Sequence, residues 1–221
     1  MSRSELIVML TQNDYTLENA MAIFESCKHT SAKFWGAKEQ GVSHEELLRL
    51  FAAMKAAGKQ TVLEVVAYDE ASCLEGAKLA AECGCDCLLG TAYFDSVHSF
   101  CREHQMKYLP FVGAISNRPS VLKGTIEEIV EETACVAGKG VDGIDLLGYR
   151  YSGDCQALCH AVCRHAAVPV CLAGSINSYA RLQEVKTFSP AFFTIGGAFW
   201  DHSFGDDLAA SIEAVCHYMN D

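Results

Sequence analysis

A strand-then-helix alternation, repeated eight times along the 221 residues, constrains this chain more than any other feature. Short apolar runs predict buried strands at 5–11, 33–38, 60–68, 86–91, 107–114, 143–149, 169–174 and 191–197. Apolar residues at helical spacing, such as Leu47, Leu48, Phe51 and Met54, predict helices at 17–28, 43–57, 71–83, 95–105, 124–139, 153–166, 177–187 and 206–219. Each strand–helix unit has about 27 residues, which suits a compact (β/α)8 barrel. The rival architecture, a doubly wound open sheet, usually needs fewer strands and a GxGxxG turn after the first one. Strand 1 here ends Thr11-Gln12-Asn13-Asp14, with no glycine. The expectation is an α/β protein forming a single TIM barrel over residues 1–221, with no linker dividing it.

Local signals agree. Ser43 with Glu46, and Thr125 with Glu128, fit capping boxes at helix starts. Gly58, Gly84 and Gly140 fall just past predicted helix ends. Half of the residues are hydrophobic and only four are proline, a composition that argues against disorder. The net charge of −11, with no block of lysines or arginines, argues against nucleic acid and anionic membranes as partners. An anionic small molecule stays open, because a helix terminus and one or two local cations can hold a phosphate in an acidic protein. No apolar run approaches the ~20 residues needed to cross a membrane. Met1-Ser-Arg-Ser-Glu5 runs directly into an apolar strand, without the pattern of a signal peptide. Most of the twelve cysteines sit inside apolar helix or strand patterns, where they act as small hydrophobes, so a reducing cytoplasm is expected. Cys83-Gly84-Cys85-Asp86-Cys87 lacks the CxxC spacing of a zinc knuckle and falls at a helix-to-strand junction away from the active face. No histidine pair has metal-ligand spacing on a common strand end, and no metal is predicted.

Two later segments bear on function. Pro169-Val-Cys-Leu-Ala-Gly-Ser-Ile176 and Phe192-Phe-Thr-Ile-Gly-Gly-Ala-Phe199 are both apolar runs that end in glycine. Glycine at a strand end brings backbone N–H groups close to a bound anion, because no Cβ intervenes. Two such ends side by side, near a helix start, form a nest of donors for a phosphate. Gly174, Ser175, Gly196 and Gly197 are the predicted phosphate-binding residues, in the loops after strands 7 and 8. This pair of segments resembles the phosphate grip of the ribulose-phosphate-binding barrels. The resemblance covers the whole chain as architecture and is motif-specific over 169–199. It implies a phosphorylated small-molecule ligand.

No member family of that group matches. The 3-keto-gulonate-phosphate decarboxylase and hexulose-phosphate synthase group carries Asp-x-Lys-x-x-Asp on strand 3. This chain has Glu64-Val-Val66-Ala-Tyr-Asp69, with valine in place of the lysine. The histidine-biosynthesis barrels place aspartates at the ends of strands 1 and 5, whereas strand 5 here ends Phe111-Val-Gly113. Phosphoribosylanthranilate isomerase has a cysteine at the end of strand 1, where this chain has Thr11. Pro110-Phe-Val-Gly113 resembles a transaldolase strand, but strand 4 ends Leu89-Gly-Thr91 without the Schiff-base lysine.

The helix-facing layer of a barrel is apolar, so a charged residue in mid-strand is expected to point inward. Glu64 and Asp145 meet that test, and burying either requires a partner, catalytic or structural. Lys38 ends strand 2 beside Glu64 and is the candidate acid, electrophile or Schiff-base nucleophile; the alternative is a surface lysine. Asp14 and Asp69 follow strands 1 and 3 as substrate ligands or as turn and cap residues. Arg150 follows strand 6 and could pair with a phosphate or carboxylate. Arg118 lies in the long Gly113–Gly124 loop, read as a lid or as an ordinary solvated loop.

The leading expectation is a cytoplasmic enzyme acting on a small phosphorylated sugar or sugar acid by isomerisation, epimerisation or aldol-type cleavage. Lys38, Glu64 and Asp145 would be its catalytic residues. The alternatives are an FMN-binding barrel oxidoreductase and a non-catalytic phosphometabolite-binding protein. No cofactor is required by the leading reading, and the sequence leaves a homo-oligomer open.

Overall fold

The computed structural model describes residues 4–221, so part of the Met1–Glu5 segment lies outside the described residues. Eight parallel strands form the sheet: β1 (Glu5–Met9), β2 (Phe34–Lys38), β3 (Gln60–Val65), β4 (Cys87–Gly90), β5 (Lys107–Leu109), β6 (Ile144–Leu146), β7 (Val170–Leu172) and β8 (Phe192–Ile195). Their spatial order is β6-β7-β8-β1-β2-β3-β4-β5. The sheet closes where Phe111 bridges Asp145 and the Asp145 N–H donates to the Pro110 carbonyl at 2.8 Å. The protein is a TIM barrel. Its outer helices are α1 (Ala20–Cys27), α2 (His44–Ala56), α3 (Glu70–Glu82), α4 (Asp95–Glu103), α5 (Ile126–Gly138), α6 (Cys155–His165), α7 (Tyr179–Phe188) and α8 (Leu208–Asn220).

Strand parity sorts the core into two layers. Ile7, Met9, Val62, Leu89, Leu109 and Cys171 form a cluster inside the barrel. The opposite faces, including Val8, Trp35, Leu63, Leu88 and Tyr108, pack outward against the helices. The interior is crowded: a Cβ on Gly36 would come within 2.7 Å of both Met9 Sδ and the Val62 carbonyl. Both expected capping boxes form, Ser43 with Glu46 and Thr125 with Glu128. Gly58 and Gly140 have φ of +73° and +83°, and no atom lies within 4 Å of a Cβ at either site. Backbone conformation alone therefore calls for glycine there.

Several strands stop short of the sequence expectation at their C-terminal ends, because the chain turns into the barrel mouth. Strand 1 ends at Met9 and gives way to a hairpin pairing Thr11–Gln12 with Tyr15–Thr16. Its two-residue turn, Asn13-Asp14, has φ of +52° and +66°, which fits a type I′ turn. Strand 5 ends at Leu109, and a second hairpin, Ala114–Ser116 with Val121–Lys123, occupies the expected lid. Residues 148–150 form a 3₁₀ turn, and Gly197–Trp200 a one-turn helix. All twelve cysteines are free, and only Cys135 is exposed. Among the described residues, no helix is long and apolar enough to cross a membrane, and no group of three metal-capable side chains occurs.

Candidate active site

A cavity of about 500 Å³ opens at the C-terminal ends of the strands. Its walls include Asp14, Lys38, Glu64 and Arg150 on one side, and Gly174, Ser175, Gly196 and Gly197 on the other. The structure thus brings eight of the eleven proposed site residues to one cavity.

Lys38 is the centre of the charged side. It is the last residue of β2, in register with Glu64 on β3, so both side chains project into the mouth. Lys38 Nζ donates to Glu64 Oε1 at 2.8 Å and to Asp14 Oδ1 at 3.0 Å, and all three side chains are buried. Burial disfavours the Lys38 ammonium, but the adjacent Glu64 and Asp14 charges outweigh it and raise its pKa above the ordinary lysine value. Lys38 is therefore a cation at neutral pH.

Asp14 ties the loops together. The type I′ turn aims its carboxylate into the barrel mouth. There Oδ2 accepts from the Ser120 N–H and from Arg150 Nη1, both at 2.8 Å. Burial alone would raise the Asp14 carboxyl, but Lys38, Arg150 and the Ser120 N–H hold it well below the usual carboxylate range. With both oxygens engaged, it serves as an anchor joining the end of β2 to the segments after β1, β5 and β6. Ser120 had no sequence signal; only the folded hairpin brings it to Asp14.

Asp145 departs from expectation. It is fully buried in β6 and lines no part of the cavity; neither carboxylate oxygen has a hydrogen-bond partner among the described residues. Burial first, then the nearby Glu64 charge, raises its pKa well above the ordinary carboxylate value, which favours the protonated form. Two other candidates lie outside the cavity, and for Asp69 the cap reading is the one that holds. Asp69 is exposed and caps α3, accepting from the Ser72 N–H at 3.0 Å. Its strand ends four residues earlier, at Val65, so Asp69 has already left the mouth. Arg118 also lies outside the cavity wall. Its guanidinium bonds the Asp14 carbonyl and Glu39 Oε1, each at 2.6 Å, and stacks on Tyr15, so it fastens the second hairpin to the first.

The opposite side is built from backbone. Gly174 has φ of +91° and Ser175 of +20°; among the described residues, neither N–H has an acceptor within the protein. A Cβ on Gly174 would lie 2.9 Å from Arg150 Cγ, so glycine lets the arginine stem pass. A Cβ on Gly196 would meet the Thr11 carbonyl at 2.8 Å. Gly197 opens the one-turn helix; among the described residues the Gly196, Gly197 and Ala198 N–H groups have no acceptor within the protein, whereas the Phe199 N–H donates to the Gly196 carbonyl at 2.9 Å. Gln12 and Asp201 complete this rim; their sequence positions, in a loop and after a short helix, gave no cue.

No family model matches this chain, and no curated protein matches it. Solved structures do. Orotidine 5'-phosphate decarboxylase from Pyrococcus horikoshii OT3 superposes with a TM-score of 0.71 at 10% identity, covering 98% of this chain and 99% of that one. N-(5'-phosphoribosyl)anthranilate isomerase from Pyrococcus furiosus gives 0.69 at 12%, covering 99% and 100%. Tryptophan synthase from M. tuberculosis gives 0.66 at 14%, covering 99% and 92%. At these identities the likeness is one of fold alone, the TIM barrel.

Proposed function

We propose that this barrel is an enzyme that moves a proton, or cleaves a carbon–carbon bond, next to the carbonyl of a small phosphorylated sugar or sugar acid. The observation that carries this is the buried Lys38 ammonium, bonded to Glu64 and facing a glycine nest across one cavity. The nest would take the phosphate on the N–H groups after β7 and β8. Held there, the substrate's carbonyl end reaches the charged floor, and the phosphate supplies binding energy remote from the reacting carbon. Glu64 would remove the proton beside the carbonyl. The Lys38 ammonium would stabilise the enediolate oxygen, preorganised by Asp14 and Arg150. As a charged ammonium Lys38 is a poor amine nucleophile, which favours this electrophilic role over a Schiff base. Asp145, buried and outside the cavity wall, is given no contact with substrate. The fold neighbours named for orotidine 5'-phosphate and a phosphoribosyl compound lend support to a phosphorylated ligand.

A flavin is the weaker alternative. The described cavity wall contains no aromatic side chain on which an isoalloxazine could stack. Purified protein with a flavin absorption spectrum would revive it. The test of the main proposal is exchange in D2O, followed by NMR across a panel of ketose and aldose phosphates. Deuterium should enter the carbon beside the carbonyl of at least one substrate with the native protein, and not with Glu64→Gln. A native protein that binds inorganic phosphate yet exchanges no proton across the panel would overturn it in favour of a phosphometabolite-binding protein.

A further inference from the structure

The rim of the glycine nest carries a negative charge that a plain phosphate site would avoid. Gln12 Nε2 donates to Asp201 Oδ1 at 2.7 Å, and no cation among the described residues pairs with this carboxylate. A Cβ built on Gly197 would stand 3.7 Å from Asp201 Oδ2 and 4.0 Å from Gln12 Cγ. Both side chains therefore flank the nest glycine and line the cavity. Their position is fixed, because Trp200 Nε1 donates to the Thr11 carbonyl at 3.0 Å and pins the one-turn helix against the first hairpin. A phosphate dianion in the nest would face Asp201 Oδ2 at close range, and like charges so placed repel. The repulsion is relieved when the ligand brings a hydrogen-bond donor to that oxygen.

We propose that Asp201, oriented by Gln12, is a specificity-determining subsite for a donor group carried close to the phosphate ester. The ligand is then a phosphate monoester with a hydroxyl or ammonium within about two carbons of the ester oxygen, a distance that fits one hydrogen bond beyond the nest. Bare alkyl phosphates are disfavoured by the same carboxylate, which combines attraction for the right ligand with repulsion of the wrong one. This inference rests on the nest being the phosphate grip.

Calorimetry at pH 7.5 separates the two. The probes are inorganic phosphate, propyl phosphate, glycerol 3-phosphate and O-phosphoethanolamine, each titrated into the full chain and its Asp201→Ala and Asp201→Asn variants. The native protein should prefer one donor-bearing ester over propyl phosphate by about tenfold or more, the size of one well-made hydrogen bond to a charged group. Tighter glycerol 3-phosphate identifies a hydroxyl, and tighter O-phosphoethanolamine an ammonium. Asp201→Ala should bring the preference to within about twofold, and Asp201→Asn should tighten propyl phosphate several-fold by removing the charge. Asp201 is exposed on the rim, so both variants should keep the native unfolding midpoint. Equal binding of all three esters by the native protein, or a preference that survives Asp201→Ala, overturns the subsite while leaving the nest standing. Failure of inorganic phosphate and every ester to bind the native protein overturns the nest, and the subsite with it.

Discussion

At the Gly174–Gly197 end of the cavity the protein presents backbone; at the Lys38 end it presents side chains drawn from separate loops. The glycine end is local. Each half is a strand end that turns because its own residues permit the turn, and its N–H groups stay open. The charged end is assembled. Lys38 and Glu64 come from two neighbouring strands and Asp14, Ser120 and Arg150 from three separate loops, and they are joined by hydrogen bonds of 2.8 to 3.0 Å. Damage at the glycine end should therefore appear in ligand binding. Damage at the charged end should appear in stability and turnover.

The largest expected effect is at Lys38. Lys38→Met leaves the buried Asp14 and Glu64 carboxylates without their shared cation, and breaking such a buried set costs about 3–5 kcal/mol. Urea unfolding at pH 7 should show that loss. A midpoint within error of the native one would mean that solvent already screens the cluster, and the contrast between the two ends would collapse. Glu64→Gln is milder for the fold, since the amide oxygen can still accept from Lys38. If Glu64 is the base, kcat should fall by about 10²–10⁴ on the true substrate while phosphate affinity stays near native. A variant that turns over normally but melts early would make Glu64 a structural carboxylate.

The two ends also differ in how far the sequence reveals them. Gly174, Gly196 and Gly197 are legible because a glycine closing an apolar run leaves its backbone N–H groups uncovered, and the run alone shows where that happens. Lys38 and Glu64 are legible because parity and neighbouring strands place them, and the register pairs them directly. Ser120 and Asp201 are not, because their roles depend on which loop folds over which mouth. Asp69 misled because the apolar run continues to Tyr68 although pairing stops at Val65; a run that leaves the sheet looks the same as one that stays. Arg118 misled for a related reason: a polar loop tip looks mobile until its guanidinium finds two acceptors on other segments. The barrel itself was legible because eight repeats average out such errors at individual boundaries.

Asp145 sharpens the comparison through pH. Its folded pKa is raised above the ordinary value of 3.8, by burial and then by Glu64. Over the interval between those two values the native state holds a proton that the unfolded state has lost, so stability declines as pH rises, by about 1.4 kcal/mol per unit. Asp14 has the opposite sign. Its folded pKa is depressed below 3.8, so its contribution is present above that pH and is lost as pH falls through the folded value. Asp145→Asn removes only the first effect. Its stability relative to the native protein should therefore grow from about pH 4 upward, measured by urea unfolding across pH 4–8. A mutant-minus-native difference that is flat with pH would show Asp145 ionised in the fold, and a missing partner would have to be found for it.

The smallest effect on the fold belongs to Gly197, and its smallness is what distinguishes the glycine end. A Cβ there meets only Asp201 Oδ2 at 3.7 Å and Gln12 Cγ at 4.0 Å, both ordinary contacts, and the backbone needs no positive φ. Gly197→Ala should leave the unfolding midpoint within about 0.5 kcal/mol of native, as substitutions away from packed features do. Gly196→Ala, one residue earlier, drives a Cβ to 2.8 Å from the Thr11 carbonyl and should cost about 1–3 kcal/mol. Gly197→Asp should also fold, because an acidic residue is tolerated at a helix start. It would, however, place a second carboxylate beside Asp201 at the mouth of the nest. Inorganic phosphate affinity should then drop tenfold or more with no loss of stability, a factor corresponding to about 1.4 kcal/mol. If Gly197→Asp binds phosphate as the native protein does, the anion sits elsewhere in the cavity. Arg150, which also lines that space, would be the next residue to substitute.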